Sequence, residues 1–393
     1  MENNRKLYIF LGSYFGVSNY DIIKHRYFKN AISVSNSEFE RIVFLEFLKK
    51  SKCSFISAPA VGYWPKKCRK ITVNKKHLIP ENNVSFCSYK TIFGLSHFSK
   101  KRSMWKEIKK QLSKLDKNDY KNVVVIACEA HKPYLEVLSK SKKKFGIKTA
   151  LIVPDLPENM YSSNRWFYKF LKNKNAKRMY SLANKNVDSF WFFTKDISLK
   201  FNTFGKQYIV REGVIESFQS VATHNKKTVC TYIGKTDYWN GIDFIIEAAK
   251  RMSNMDFNIF GSGALDVYLS NIGIENLHFH HFLDPKNVEK IILSSDVLLS
   301  PRFSNAPFAS TAFPSKVLKY CSACKPIVTF KLGCYDDKYN DLLFYPTRNN
   351  VDSFCESIVL ASNSNNINWK EKYESKLSCL LVNNVVDNFI KIL

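Results

Sequence analysis

The run Asn122-Val-Val-Val-Ile-Ala-Cys128 constrains the fold most. It is apolar at consecutive positions, without the alternation of a strand that keeps one face wet. It therefore predicts a strand buried on both faces, which belongs to a parallel sheet covered by helices on each side. Its neighbours repeat the theme. Lys6–Leu11, Cys53–Ser57, Val84–Cys87, Thr149–Val153, Val187–Thr194 and Gln207–Arg211 read as strands. Glu38–Lys50 has Phe39, Ile42, Val43 and Phe47 at helical spacing, and Arg165–Lys185 reads as a basic, aromatic helix. A second alternation starts near Thr228. Its strands are Val229–Gly234, Phe257–Phe260, Leu277–Phe282 and Val297–Ser300, and its helices Asn240–Met252 and Pro285–Ser294. A chain of 393 residues exceeds one ordinary core. The expected fold is thus α/β, two doubly wound parallel sheets divided near residues 212–226, where Thr223–Lys227 looks like a linker. Trp369–Leu393 reads as a closing amphipathic helix.

The net charge is +26, and basic clusters crowd the first half. Such a surface suits an anionic partner: a membrane, a nucleic acid or a phosphorylated substrate. The nucleic-acid reading rests on charge alone, since no zinc-finger or RNA-recognition signature accompanies it. No apolar run reaches the ~20 residues that span a bilayer. Leu7–Leu11 is too short for a signal peptide, so a cytoplasmic protein is expected. The ten cysteines show no disulfide-scaffold spacing. Cys321-x-x-Cys324 lacks the second ligand pair that zinc needs, so helix packing is its expected role and no metal ligand is assigned.

The chemistry points to Thr311–Pro326. Phe313-Pro314-Ser315 opens a helix that Pro326 ends, and a loop feeding a helix start offers free N–H groups to an anion. Ser315 and Lys316 add a hydroxyl and a cation there. In the first half, Gly12 ends a strand, His131 follows the buried strand, and Glu158 lies in the loop Pro154–Glu158. Positions after strand ends are where ligands of such sheets bind.

In order along the second half stand Tyr232-Ile-Gly-Lys235, Trp239-Asn-Gly-Ile-Asp243, Phe260-Gly-Ser-Gly263, Pro301-Arg302 and Phe313-Pro-Ser-Lys316 with Lys325-Pro326. This series resembles the donor domain of glycosyltransferase family 4, and more closely bacterial capsule, O-antigen and exopolysaccharide glycosyltransferases. Asp155-Leu-Pro-Glu158, Ser189–Thr194 and Glu212-Gly-Val214 extend the resemblance into the first half. It implies a GT-B fold: two Rossmann-like lobes facing a cleft. Residues 1–215 would bind the acceptor, 226–366 the nucleotide-sugar donor, and 367–393 would pack back on both lobes. The implied activity is sugar transfer, with retention, from a nucleotide-sugar to a lipid-linked oligosaccharide, at the inner face of the cytoplasmic membrane and without a metal or other cofactor. The aromatic, lysine-rich segment from Trp166 is the expected membrane contact.

The implied donor site comprises Gly12, Lys235, Asn240, Gly261, Gly263, Arg302, Phe313, Ser315, Lys316 and Lys319, with His131 and Glu158 as catalytic candidates. Two departures stand out. Thr311 and Lys319 occupy the positions of the family's glutamate pair, and Cys324 replaces its glycine. Lysine cannot accept the ribose hydrogen bonds a glutamate accepts. This leaves open an altered nucleotide, a different ribose contact, or an inactive nucleotide-sugar-binding subunit.

Overall fold

The computed structural model describes residues 6–29, 35–160, 166–281, 285–364 and 366–393. The chain divides into two compact units. Met1–Glu212 with Val382–Leu393 form the first, and Gly213–Leu381 the second. In the first unit the strands are β1 (Leu7–Gly12), β2 (Lys52–Ser57), β3 (Thr72–Val73), β4 (Val84–Phe86), β5 (Tyr89–Lys90), β6 (Val123–Ala127), β7 (Lys148–Val153), β8 (Ser189–Phe192) and β9 (Gln207–Val210). Seven of them make a sheet in the order β4-β2-β1-β6-β7-β8-β9, paired in parallel, and β3 and β5 form a small antiparallel ribbon. All five residues of β6 are buried, as its unbroken apolar run requires. Phe39 and Phe47, spaced to one face of helix Ser35–Lys50, pack edge-on against Trp191 and Phe10 at 5.4 and 5.0 Å.

The second unit has β10 (Thr228–Ile233), β11 (Met255–Phe260), β12 (Leu277–His280), β13 (Val297–Ser300) and β14 (Ile327–Thr329), in the parallel order β12-β11-β10-β13-β14. The period of two along β13 separates its core into layers. Leu298 joins the cluster of Val317, Tyr320 and Tyr373, while Val297 and Leu299 join that of Ile242, Ile245 and Phe354. Two covered faces explain why the strand carries no polar alternation.

Three expectations are corrected. Thr223–Lys227 is not a free linker: Thr223 Oγ1 bonds Asp296, whose other carboxylate oxygen accepts Asn225 Nδ2 and the Val229 amide, both at 2.9 Å. The second unit therefore starts at Gly213, ahead of residue 226. The terminal segment is two helices rather than one. Trp369–Leu377 buries Trp369, Tyr373 and Leu377 in the second unit, and Val382–Ile392 sets Phe389 5.5 Å from Trp191 in the first. Helix Leu95–Leu112 buries Lys100 and Glu107 on one face with Met104 and Ile108. Helix Trp166–Asn186 forms, but the side chains of residues 160–171, on which the aromatic membrane contact depended, lie outside the described ones. Among the described residues, no helix is long and apolar enough to cross a membrane.

Candidate active site

In the second unit the loops after β10, β11 and β13 lie at the carboxyl ends of parallel strands, where open sheets bind ligands. Two glycines let these loops meet. A Cβ on Gly261 would stand 1.7 Å from the Gly234 carbonyl oxygen, and one on Gly234 would stand 2.7 Å from Lys316 Nζ. Both have positive φ, +151° and +157°. Lys316, in the first turn of helix Ser315–Ser322, thus reaches back over the β10 loop and sets its ammonium 3.9 Å from the Tyr232 ring centroid. Burial, and then the neighbouring charge of Arg302, holds that ammonium well below the usual lysine range.

Arg302 is fixed by its own loop. Nη1 donates to the Ala312 carbonyl at 2.9 Å, and the guanidinium carbon lies 5.3 Å from the Phe308 ring centroid. Its buried Nε has no partner, nor does the buried hydroxyl of Ser300 at the end of β13. Among the described residues no carboxylate pairs with Arg302 or Lys316. Two adjacent cations with an unused donor beside a helix start make a receptor for an anion with several oxygens.

The other donor-site candidates divide. Ser315 is exposed at the helix start, and no side chain caps that start. Lys235 is exposed, and its carbonyl accepts Tyr232 Oη at 2.7 Å and Asn240 Nδ2 at 3.1 Å. Asn240 thus spends one Nδ2 hydrogen on its own loop, and its Oδ1 and second hydrogen are not used by that bond. Gly263 is required by close packing, since a Cβ would meet Asp237 Oδ1 at 2.6 Å, and its N–H is spent on Asp266 Oδ1 at 2.7 Å. Phe313 lies in the core against Tyr335 and Tyr339 at 5.5 and 5.6 Å, so its ring is a packing element rather than a ligand contact. Lys319 is exposed one turn beyond Ser315. Cys324 has φ +53°, a left-handed conformation that explains a glycine preference at this position.

The first unit gathers a different cluster after β1 and β6. Gly12 admits Glu40: a Cβ would stand 2.6 Å from its Oε1. The Glu40 carboxylate accepts the Ser13 amide at 2.9 Å, and burial followed by the charge of Glu129 holds it well above the usual range. His131 immediately precedes helix Lys132–Phe145, makes no side-chain cap bond, and packs edge-on against His97 at 5.1 Å. Burial, then Lys100 and His97, pushes it well below its usual value. His97 itself is pushed down to about 4, with Tyr63 Oη 2.8 Å from its Nε2. Lys100 sits 4.5 Å over the Tyr89 ring and is pushed down to about 8 by burial. Glu129 is pushed up to about 7, by burial and then Asp155. At neutral pH both histidines are neutral and Glu129 is poised to exchange a proton. Glu158 binds Tyr180 Oη at 2.8 Å rather than His131. Glu40, His97, Lys100 and Glu129 were missed in sequence. The signal was present for Glu40, which shares the spacing of the buried Phe44 and Phe47.

Residues 227–363 match the family described as Glycosyl transferases group 1. No curated protein matches the chain in sequence. In structure it is similar to the Anabaena protein HepE solved with UDP, at 11% identity over 99% of this chain and 100% of that one, TM-score 0.60. It is also similar to sucrose-phosphate synthase of Thermosynechococcus elongatus, at 10% identity over 98% and 97%, TM-score 0.65. A third is the pneumococcal O-GlcNAc transferase GtfA solved with UDP and GlcNAc, at 12% identity over 99% and 98%, TM-score 0.56. At such identities the likeness is one of fold, and with two parallel α/β units that fold is GT-B.

Proposed function

From the match of residues 227–363 to the glycosyl transferases group 1, we propose that the protein is a glycosyltransferase that moves a sugar from a nucleoside-diphosphate sugar to a lipid-linked oligosaccharide in bacterial surface-polysaccharide synthesis. The observation that carries the reading is the uncompensated pair Arg302 and Lys316 beside the start of helix Ser315–Ser322, with Arg302 Nε buried and unused. A leaving diphosphate supplies the missing negative charge, and fixed donors stabilise it more in the transition state as the glycosidic bond lengthens. The reading assigns that charge to protein groups rather than to a metal. UDP is the first nucleotide to test, because HepE and GtfA were solved with it. Retention of configuration and membership of family 4 rest on the resemblance of the motifs.

The lipid-linked acceptor is supported by an exposed patch in the first unit. Trp64, Phe93, Leu95 and Phe98 are 40, 66, 48 and 58% exposed. Trp64 bonds the Thr91 carbonyl at 3.1 Å, Tyr63 meets Phe93 at 5.3 Å, and Lys101 lies 5.5 Å over Phe98. Exposed aromatic rings beside Lys101, which also pairs with Glu136 at 2.7 Å, suit the headgroup layer of a membrane, and peripheral binding at the cytoplasmic face follows from this reading.

The test is a thermal-shift panel of nucleoside diphosphates, nucleotide-sugars and an oligonucleotide, followed by donor turnover with a lipid-linked acceptor. Stabilisation by a nucleoside diphosphate, with turnover, is expected. Stabilisation by the oligonucleotide alone refutes the reading. Nucleotide binding without turnover of any donor would favour the inactive binding subunit that Lys319 suggests.

A further inference from the structure

A pocket of about 390 Å³ opens in the first unit at the amino-terminal ends of β6 to β9. Of the candidate residues, Gly12 ends β1 and His131 follows β6, so this pocket is at the opposite edge of the same sheet. Four lysines line it, Lys142, Lys148, Lys185 and Lys206, against one side-chain carboxylate, Asp188, with Leu393 at its edge. Asp188 is already shared. It pairs with Lys142 and accepts the Thr149 amide at 3.0 Å and hydroxyl at 3.1 Å. Lys148 donates to an oxygen of Leu393, the last residue of the sequence, at 3.3 Å, and its charge is not among the uncompensated ones. Lys206 has the Asn184 carbonyl and lies 5.3 Å from the Phe190 ring centroid. No described carboxylate pairs with Lys185.

A peptide carbonyl orients an ammonium group but does not neutralise it, so the charges of Lys185 and Lys206 remain uncompensated around one concavity. Burial, followed by the charge of Lys142, already holds Lys206 below the usual lysine range. Phe204 stands at the rim, 93% exposed, and offers an apolar face beside the charges.

We propose that this pocket binds a phosphate-bearing anion of at least two negative charges, at a site separate from sugar transfer. Lysines suit it because ammonium groups meet phosphate oxygens as point charges from several directions, without the planar fork of arginine. The phosphate can belong to a free molecule or to a lipid headgroup, and the experiment separates the two.

The full chain is treated with an acetylating ester, and the rate at each lysine is read by mass spectrometry. Inorganic diphosphate, or vesicles containing phosphatidylglycerol, is added in separate arms. At diphosphate ten times its Kd about one site in ten is free, so Lys148, Lys185 and Lys206 should react about tenfold more slowly. The exposed Lys143 and Lys144, outside the pocket, should keep their rates. Lys148→Gln with Lys185→Gln, both at exposed positions, should abolish protection at Lys206 and leave protection at Lys316 unchanged. Protection by vesicles alone assigns a headgroup, and protection by diphosphate a free ligand. Unchanged pocket rates in both arms, or equal slowing at Lys143 and Lys144, overturns the proposal.

Discussion

Replacing Lys316 by methionine separates a ligand-binding lysine from a structural one, because the two roles predict opposite signs. Methionine keeps most of the chain length and the contact with the Tyr232 ring, and removes only the charge. In the free protein that charge sits partly buried beside Arg302, without a carboxylate among the described residues. Its loss should relieve repulsion and desolvation. A relief of about 1 kcal/mol raises the Tm of a unit this size by roughly 2–4 °C. With UDP bound, the same change deletes a charge-assisted hydrogen bond of about 1.5–3 kcal/mol, so affinity should fall roughly 10- to 150-fold. Calorimetric titration of UDP and a melting curve of the free protein measure both. Lower affinity with unchanged or higher Tm is expected. A lower Tm with unchanged affinity would refute the reasoning. The pH dependence carries a second check. A lysine depressed in the folded state binds fewer protons there than in the unfolded chain, between its depressed value and 10.5. Stability should therefore rise with pH across that window while UDP affinity falls, and Lys316→Met should flatten both trends.

Three further outcomes are expected. Lys319→Glu should weaken UDP binding by about 0.5–1 kcal/mol, since it places a carboxylate one helical turn from the phosphate site; tighter binding in the titration would show that a missing ribose acceptor limits the site. Glu129 binds a proton more readily folded than unfolded between pH 4.5 and about 7, so its ionisation costs stability as pH rises through that window. Glu129→Gln should thus stabilise the protein at pH 8 by about 1–3 kcal/mol, after allowing for its lost attraction to Lys100, and little at pH 4.5; equal urea midpoint shifts at both pH values would sink this. Gly261→Ala drives a Cβ to 1.7 Å from a backbone oxygen, and should destabilise the fold by about 3 kcal/mol or more in urea unfolding; a loss below about 1 kcal/mol would contradict the close loop contact.

The sequence by itself determined the strand and helix alternation, because apolar periodicity is a local property. Val123–Ala127 and Val297–Ser300 could only be central strands, and Pro314-Ser315 only a helix start. The place of Lys316 at a helix start was legible for the same reason, since helix start and cation are adjacent in the chain. What tertiary structure decided was which polar groups are used up. Asn240 Nδ2 bonds its own loop, the Gly263 N–H is spent on Asp266, Phe313 turns into the core, and Thr223–Lys227 is fastened to Asp296, some 70 residues away. The cluster of Glu40, His97, Lys100, Glu129 and His131 draws on three separate stretches of chain. Its proton affinities come mainly from burial, which is summed over every segment packed around a group and has no counterpart in the order of residues along the chain.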